Sequence, residues 1–488
     1  MVIIVDDEFN KSATLDIESK LIKYMSADKK LDNINEGLYN YNLYDKSRYV
    51  VKFEPLWNKL KELGIVNKRL IQLENSDLFK YSPYKALSSD QIEVVDTILE
   101  ELKEAIKNNY EVTFIVKGKF GTGETVLATY LMKLLRTPSE VRFGELEDNI
   151  ELDKELYKTL DGLKTGMIVP LQSLRTTIEK VFKSVSELKA SDVIGPYDVN
   201  KKDYDLLIVD ESRRLQRKPK DGVRLPAYKN KIQTTDLEDG SNELDWILHY
   251  SKYQILFYAE DQTIRPTDLT KEEFANSLKG RKIIELNLDS QMRVKGGKTY
   301  IDYIEKLLNY TIKQKIDFKK YDYDFRFFEK FEDMYKEIHA KDKKYGYARL
   351  AAGYSWNWKS KNDNTGKVYD IEIEGIKLRW NHTYVDWINS PGAIDEVGCI
   401  HTISGYDLNY CGLIFGPEID YDPNKNTIVI NRKNYKDREG KKGVNSDEEL
   451  KGFIIRIYKI MLTRGIRGTY IYAYNENLRN YFKNIFNS

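Results

Sequence analysis

The segment Gly118–Thr125 reads GKFGTGET and lies between the apolar run Val112–Val116 (VTFIV) and a helical run from Val126 to Leu135. Glycines at such a turn free successive backbone N–H groups to wrap phosphate oxygens, and the following helix points its positive dipole end at the same anion. The spacing predicts a nucleotide cradle made of Gly118, Gly121, Thr122, Gly123, Glu124, Thr125 and Val126, with the Thr125 hydroxyl on Mg²⁺. One position departs from the pattern: Glu124 stands where a lysine should reach the β- and γ-phosphates. About 85 residues further on, YDLLIVDES ends an apolar strand on Asp210 and Glu211. Asp210 can hold Mg²⁺ there, and Glu211 can orient and deprotonate an attacking water. The chemistry these residues spell is Mg²⁺-dependent hydrolysis of ATP.

Glu124 sets an expectation of its own. Two unit charges about 4 Å apart interact by roughly 4 kcal/mol at an effective dielectric near 20. Glutamate in place of lysine removes one such attraction to phosphate and adds a repulsion. The chain as it stands reads as carrying an inactivating Lys-to-Glu change, with both acids of the second motif kept.

The elements that must hold these groups follow from the apolar patterning. Short apolar strands at Met167–Val169, Leu206–Val209 and Gln254–Tyr258 alternate with helical periodicities, and the pattern returns at Val397–Ile400, Leu413–Phe415 and Thr469–Tyr472, with a helix at Leu450–Leu462. Strands that alternate with helices imply an α/β fold with parallel sheets. Three divisions are expected: residues 1–85, a motif-free extension with a helix around Leu56–Leu63; residues 86–285, a first lobe; and residues 286–488, a second lobe with an insertion around 315–395.

Composition limits the partners. With 78 Lys+Arg against 77 Asp+Glu the net charge is +1, so any nucleic-acid contact must come from a local patch. Arg213, Arg214, Arg217, Lys218, Lys220 and Arg224 form one such cluster, weighed evenly against a solvated loop. Among 36 tyrosines and six tryptophans, the Trp356–Trp358 pair has the chemistry to stack bases, although most aromatics in a chain of this size are core. Two cysteines, Cys399 and Cys411, exclude a disulfide framework and read as buried thiols. Four scattered histidines (His249, His339, His382 and His401) argue against a histidine metal centre. Neither a signal peptide nor a membrane span is legible, which points to a cytoplasmic protein.

Taken in order, the motifs resemble a superfamily 1 helicase core, and more closely the bacterial Schlafen-like family of P-loop proteins with a helicase domain. LSSDQIEVVDTIL carries Gln91 where that superfamily has its adenine-reading glutamine, and MIVPLQSLRTTI resembles the motif that borders the nucleic-acid path. LFYAEDQTIRP supplies Asp261 and Gln262, which match the motif coupling the γ-phosphate to the bound strand. LDSQMRV supplies Gln291 and Arg293, and IHTISGYDLNYCGLIFGPEI and YKIMLTRGIRGTYIY (with Thr463 and Arg464) match the last two motifs. The resemblance implies two RecA-like lobes with ATP and Mg²⁺ between them. It also implies Arg293 and Arg464 as arginine fingers, Gln262 beside Glu211 in catalysis, and DNA or RNA with a single-stranded portion as partner. Ser404, Asp407, Asn409 and Arg213 depart from the family's usual residues. Gly123, Asp210, Arg293 and Arg464 are expected to meet in one interlobe cleft. The rival reading is a non-motor, nucleotide-sensing subunit that assembles with a nuclease or other effector, as in antiphage defence. A small-molecule kinase is disfavoured because it would not need the later motifs.

Overall fold

A computed structural model describes residues 4–5, 11–28, 30, 46–83, 87–118, 121–140, 151–219, 225–259, 264–291, 293–309, 311–312, 316–363, 365–383, 386–404 and 406–487. The first sheet contains β1 (Val112–Gly118), β2 (Thr165–Ile168), β3 (Val193–Ile194), β4 (Leu206–Val209), β5 (Tyr253–Tyr258) and β6 (Lys282–Leu288). Their order is β3-β2-β4-β5-β1-β6, and every pairing is parallel. β1 to β5 are mainly apolar because both faces are covered, whereas the edge strand β6 is largely exposed. Phe114, Val116, Ile208 and Phe257 pack on one side with Val94, Leu127 and Met132, while Ile115, Leu207, Val209 and Leu256 face Trp246 and Tyr228 on the other. β6 completes this sheet, so it runs past residue 285, where the first lobe was expected to end.

The second sheet is built from β7 (Asp324–Phe327), β8 (Ala348–Ala352), β9 (Ile371–Ile373), β10 (Ile376–Trp380), β11 (Glu396–Gly398), β12 (Leu408–Phe415) and, after a small hairpin of β13 (Ile419–Asp422) and β14 (Thr427–Ile430), β15 (Gly465–Ala473). Its order is β7-β15-β12-β8-β11-β10-β9, parallel throughout except for β9 on β10. The stretch 315–395, expected as an insertion, therefore supplies four strands of the sheet, β7 to β10: β8 lies between β12 and β11 at its centre. Its Ala-Arg-Leu-Ala-Ala sequence hides the strand, because small residues are needed where the helix Phe331–Tyr345 packs closely. The apolar run expected to form a strand through Ile400 stops at Gly398, where Cys399 begins the short helix Ile400–Ile403. Both cysteines are buried. Trp356 packs edge-on against Trp380 and Tyr474.

The helices Lys11–Ala27, Lys46–Glu62, Leu70–Glu74 and Asp77–Lys80 form a separate layer with its own small core of Ala27, Phe53, Trp57, Leu60, Val66 and Leu73. This layer touches both lobes. Asn75 Nδ2 donates to the Tyr345 carbonyl (3.0 Å) and Asn409 Nδ2 to Asn75 Oδ1 (2.8 Å), while Thr129 Oγ1 in the first lobe donates to the Tyr81 carbonyl (3.1 Å). No described helix is long and apolar enough to cross a membrane.

One buried acid makes a stability prediction. Glu418, 1% exposed, accepts from the Tyr458 hydroxyl (2.7 Å), and burial pushes its carboxyl up to about 7. A pKa raised on folding contributes stability that is full below the unfolded value near 4.5 and is lost as pH rises through about 7. Glu418→Gln keeps the acceptor and removes the ionisation. It is expected to be more stable than the parent by roughly 1–3 kcal/mol above pH 8, with the advantage gone near pH 5, in urea unfolding followed across pH.

Candidate functional site

β1 delivers the chain to a turn in which Gly121 (φ 82°) and Gly123 (φ 84°) take left-handed backbone that a side chain would strain. The helix Glu124–Arg136 starts directly after Gly123. Thr125 Oγ1 in its first turn donates to Asp210 Oδ2 at 2.8 Å. Asp210 is 1% exposed at the end of β4, and its Oδ1 accepts from the Glu211 N–H at 3.0 Å. Glu211 itself adopts left-handed backbone (φ 51°). Burial, and then the Glu211 charge, raise the Asp210 carboxyl above the ordinary range.

Glu124 turns its carboxylate back over the start of the loop. A Cβ on Gly118 would lie 2.5 Å from Glu124 Oε1, and the Thr122 hydroxyl approaches that oxygen at 3.4 Å. Burial, then Glu211 and Asp210, push its carboxyl well above the usual range, against Arg293 and Thr122. Three acids thus share one cleft, and burial drives both Glu124 and Asp210 toward their protonated forms.

The second lobe supplies the opposite charge. The Arg293 N–H donates to the Gly121 carbonyl (3.2 Å), and Gln291 Oε1 accepts from that same N–H (2.9 Å), so the segment after β6 lies directly on the glycine loop. Any side chain at Gly121 would strike Gln291 and Arg293. Arg293 forms an ion pair with Asp407 (2.5 Å). Arg464 is buried beside it, and burial together with the Arg293 charge pushes its guanidinium down to about 10. Arg464 Nε has no hydrogen-bond partner among the described residues. The expected convergence of Gly123, Asp210, Arg293 and Arg464 is present, with one difference in how it arises. The first lobe contributes from the carboxyl ends of β1 and β4, the second from the amino ends of β12 and β15.

The residues fit Mg-ATP on two sides out of three. Thr125 and Asp210 form a hard-oxygen pair suited to Mg²⁺, and two crowded guanidiniums with a buried unpartnered N–H suit a phosphate. The Glu124 side does not fit, since an acid occupies the place of a cation.

Other expected positions fall as follows. Gln91 is buried, with Nε2 donating to the Thr122 carbonyl (2.9 Å) and Oε1 accepting from the Ser88 N–H (3.1 Å). These two bonds brace the glycine loop. Val126 is half-buried in the first helical turn. Asp261 and Gln262 lie outside the described residues. Among its described residues, the basic cluster does not form an open patch. Arg213 is buried over the Tyr258 ring (4.9 Å), Arg214 pairs with Asp268 (3.8 Å), Arg217 with Glu273 (2.9 Å) and Lys218 with Asp239 (2.8 Å). Lys220 and Arg224 lie outside the described residues.

Sequence reasoning missed two supports. Asp90 accepts from the Asp289 and Ser290 N–H groups (both 2.9 Å) and from the Ser290 hydroxyl (2.8 Å), which fixes the segment that carries Arg293. A carboxylate one residue before Gln91 was the available signal. A second chain of charges leaves Glu211: Arg214 lies 3.9 Å from it and 3.8 Å from Asp268, whose Oδ2 accepts from the Arg265 N–H (3.1 Å). Arg265 then meets His401 Nδ1 across the lobes at 2.9 Å, and His401 Nε2 meets Asp437 at 2.8 Å. Arginine only donates, so Nδ1 must accept and Nε2–H donates to Asp437: His401 is neutral here. Burial and Arg265 lower its pKa accordingly.

The profile of the family described as Schlafen group 3, DNA/RNA helicase domain, matches residues 111–475. The chain is 26% identical over 437 residues to the uncharacterized Saccharomyces cerevisiae protein YPL245W, covering 80% of this chain and 89% of that one. Among solved structures, the Candida albicans Pif1 helicase is similar at 11% identity and a TM-score of 0.31, covering 82% of this chain and 99% of that one. A Bacteroides Pif1 helicase in complex with ADP-AlF3 and ssDNA is similar at 13% identity and a TM-score of 0.29, covering 80% and 96%.

Proposed function

The chain belongs to the Schlafen group 3 DNA/RNA helicase domain family, and on that premise we propose that it is a two-lobed helicase-type NTPase whose cleft takes Mg-ATP and whose partner is DNA or RNA with a single-stranded portion. Residues from 86 through the end of β6 at Leu288 and the residues that follow serve as the two lobes, and residues 1–85 as the layer that spans them. Bound Mg-ATP supplies the transferable phosphoryl group and the charge that the site must neutralise. Thr125 and Asp210 hold the cation, Glu211 orients the water, and Gly118, Gly121, Thr122, Gly123 and Val126 shape the cradle. Arg293 and Arg464 stabilise charge developing at the γ-phosphate. Gln262 joins the strand path to this centre. The observation that carries the reading is the meeting of the Thr125–Asp210 pair with Arg293 and Arg464, although the four come from opposite lobes.

Glu124 impairs the reaction. With its carboxyl pushed upward by burial and then by Glu211 and Asp210, it repels phosphate less than an ordinary carboxylate would, but it offers none of the attraction of a lysine. That same observation favours a second reading, a nucleotide-sensing subunit that works with a nuclease or other effector and does not move a strand. A strand-displacement assay on a tailed duplex separates the two. A motor releases the labelled strand only with ATP. A sensor releases none and instead changes its assembly state on nucleotide addition, read by light scattering. Failure of both the natural chain and Glu124→Lys to bind a fluorescent ATP analogue would sink either version.

A further inference from the structure

The carboxyl ends of β8, β12 and β15 lie on the far side of the second sheet from Arg464 and Asp407, and a feature with no assigned role sits there. The loop 431–443 reads NRKNYKDREGKKG, with six basic residues against two acids and a net charge of +4 in a chain whose total is +1. Such a run is ordinarily a solvated loop whose charges spread apart, but here the fold prevents that. Tyr435 is buried, and buried Asp437 is held by His401 Nε2 (2.8 Å) and by the Gly440 N–H (2.9 Å). The Lys436 N–H donates to the Tyr354 carbonyl (2.7 Å), and Asn434 Nδ2 to the Pro417 carbonyl (2.9 Å). With Tyr435 and Asp437 drawn inward, Lys433, Arg438 and Lys442 are left exposed and Lys436 and Lys441 half-exposed. The crowding is felt chemically: burial, then Lys436 and Arg432, with Arg438 also contributing, lower the Lys441 ammonium below its ordinary range.

Beside this loop lies an aromatic shelf. The turn after β8 reads GYSWNWKSKN over 353–362. Tyr354 stacks on Trp380 (5.5 Å), half-buried Trp356 meets Tyr474 edge-on (5.9 Å), Tyr474 is 39% exposed, and Lys361 lies over the Trp358 ring (5.6 Å). Exposed Lys359 adds to the same rim. Fixed cations spaced along a loop suit a polyanionic backbone, and half-exposed aromatic faces next to them suit unpaired bases.

We propose that the loop 431–443 and the Tyr354/Trp356/Trp358/Tyr474 shelf form a single-strand nucleic-acid binding surface on the second lobe. The inference rests on the proposed nucleic-acid partner and gives it a place. That place is not the paired cluster around Arg217. It also sits at one end of the chain that runs through Asp437, His401, Arg265, Asp268 and Arg214 to Glu211, so a strand gripped here is joined to the proposed hydrolysis site by a line of hydrogen bonds and looser ion pairs.

The test is fluorescence anisotropy with labelled dT20, rU20 and a blunt 20-base-pair duplex, titrated with salt, on the full chain. The chain is expected to bind one or both single strands more tightly than the duplex, and the dT20 and rU20 arms tell DNA from RNA. The triple variant K433A/K436A/R438A should weaken single-strand binding roughly 10- to 100-fold near 0.1 M salt and lower the salt slope by about 2, since each phosphate contact on a single strand contributes about 0.7. Tyr474→Leu should weaken binding with the salt slope unchanged, because it removes stacking and no charge. R217A/K218A should bind as the parent does. Single-strand binding by the parent that the triple variant and Tyr474→Leu both retain in full overturns the surface and leaves the nucleic-acid partner standing. No binding of any probe overturns both. Duplex binding as tight as single-strand binding overturns the stacking role.

Discussion

Glu124→Lys is expected to raise ATP turnover by roughly 10²- to 10⁴-fold. The backbone half of the phosphate cradle is in place at Gly118, Gly121 and Gly123, the Thr125–Asp210 pair stands ready for Mg²⁺, and Arg293 and Arg464 face it from the second lobe. What is missing is one cation at the β- and γ-phosphates. A few kcal/mol of transition-state stabilisation, at about 1.4 kcal/mol per factor of ten, gives that range. The buried position of Glu124 adds a pH dependence. Its pKa is raised, so it is neutral in the lower pH range and repels phosphate as it ionises. Residual nucleotide affinity of the natural chain should therefore fall as pH rises, while that of the lysine variant should not follow the same curve. Steady-state phosphate release at saturating Mg-ATP, with and without single-stranded DNA, measures the gain. Adding Asp210→Ala or Arg464→Ala to the lysine variant should abolish it. Equal turnover by the natural chain and Glu124→Lys would mean that another cation supplies the charge, and this account of the site would be wrong.

Trp57→Ala is expected to unfold the amino-terminal layer before the rest of the protein. Trp57 is fully buried, packs on Tyr24 (5.6 Å) and Phe53 (6.2 Å), and its indole N–H donates to the Lys68 carbonyl at 3.0 Å. Truncating a buried tryptophan costs about 3–5 kcal/mol, and the Lys68 carbonyl loses its donor as well. The six buried residues described in this core have little to offset that loss. Hydrogen exchange should show amides of 46–80 losing protection while β1, β4, β12 and β15 keep theirs. Because Lys80 Nζ donates to the Asp407 carbonyl (2.8 Å) and Asn75 bonds Asn409, release of the layer should also loosen the support behind the Asp407–Arg293 pair. Uniform loss of protection across all three units would show instead that the layer and the lobes unfold as one.

Much of this protein was legible in order along the chain. The glycine loop and the Asp210–Glu211 strand end that follows it are local signals, a few residues each whose types follow from one task, whereas the two arginines were expected from the resemblance to a helicase core. The α/β class and seven of the fifteen described strands were equally plain, because parallel strands buried on both faces must be apolar runs. Tertiary structure decided the rest. β8 was hidden because close packing under a helix selects alanine, which carries no strand signature. The basic cluster at 213–218 looked open in sequence, yet its partners Asp268, Glu273 and Asp239 arrive from distant segments. The loop 431–443 carries the same net charge of +4 and drew no notice, since only the inward anchoring of Tyr435 and Asp437 turns its cations outward together. Glu124 shows the division most clearly. Sequence named the wrong charge in the loop, and only the fold, by burying it against Asp210 and Glu211, decided that this acid is driven to hold its proton: a pKa depends on neighbours in space, and those two lie about 86 residues away along the chain.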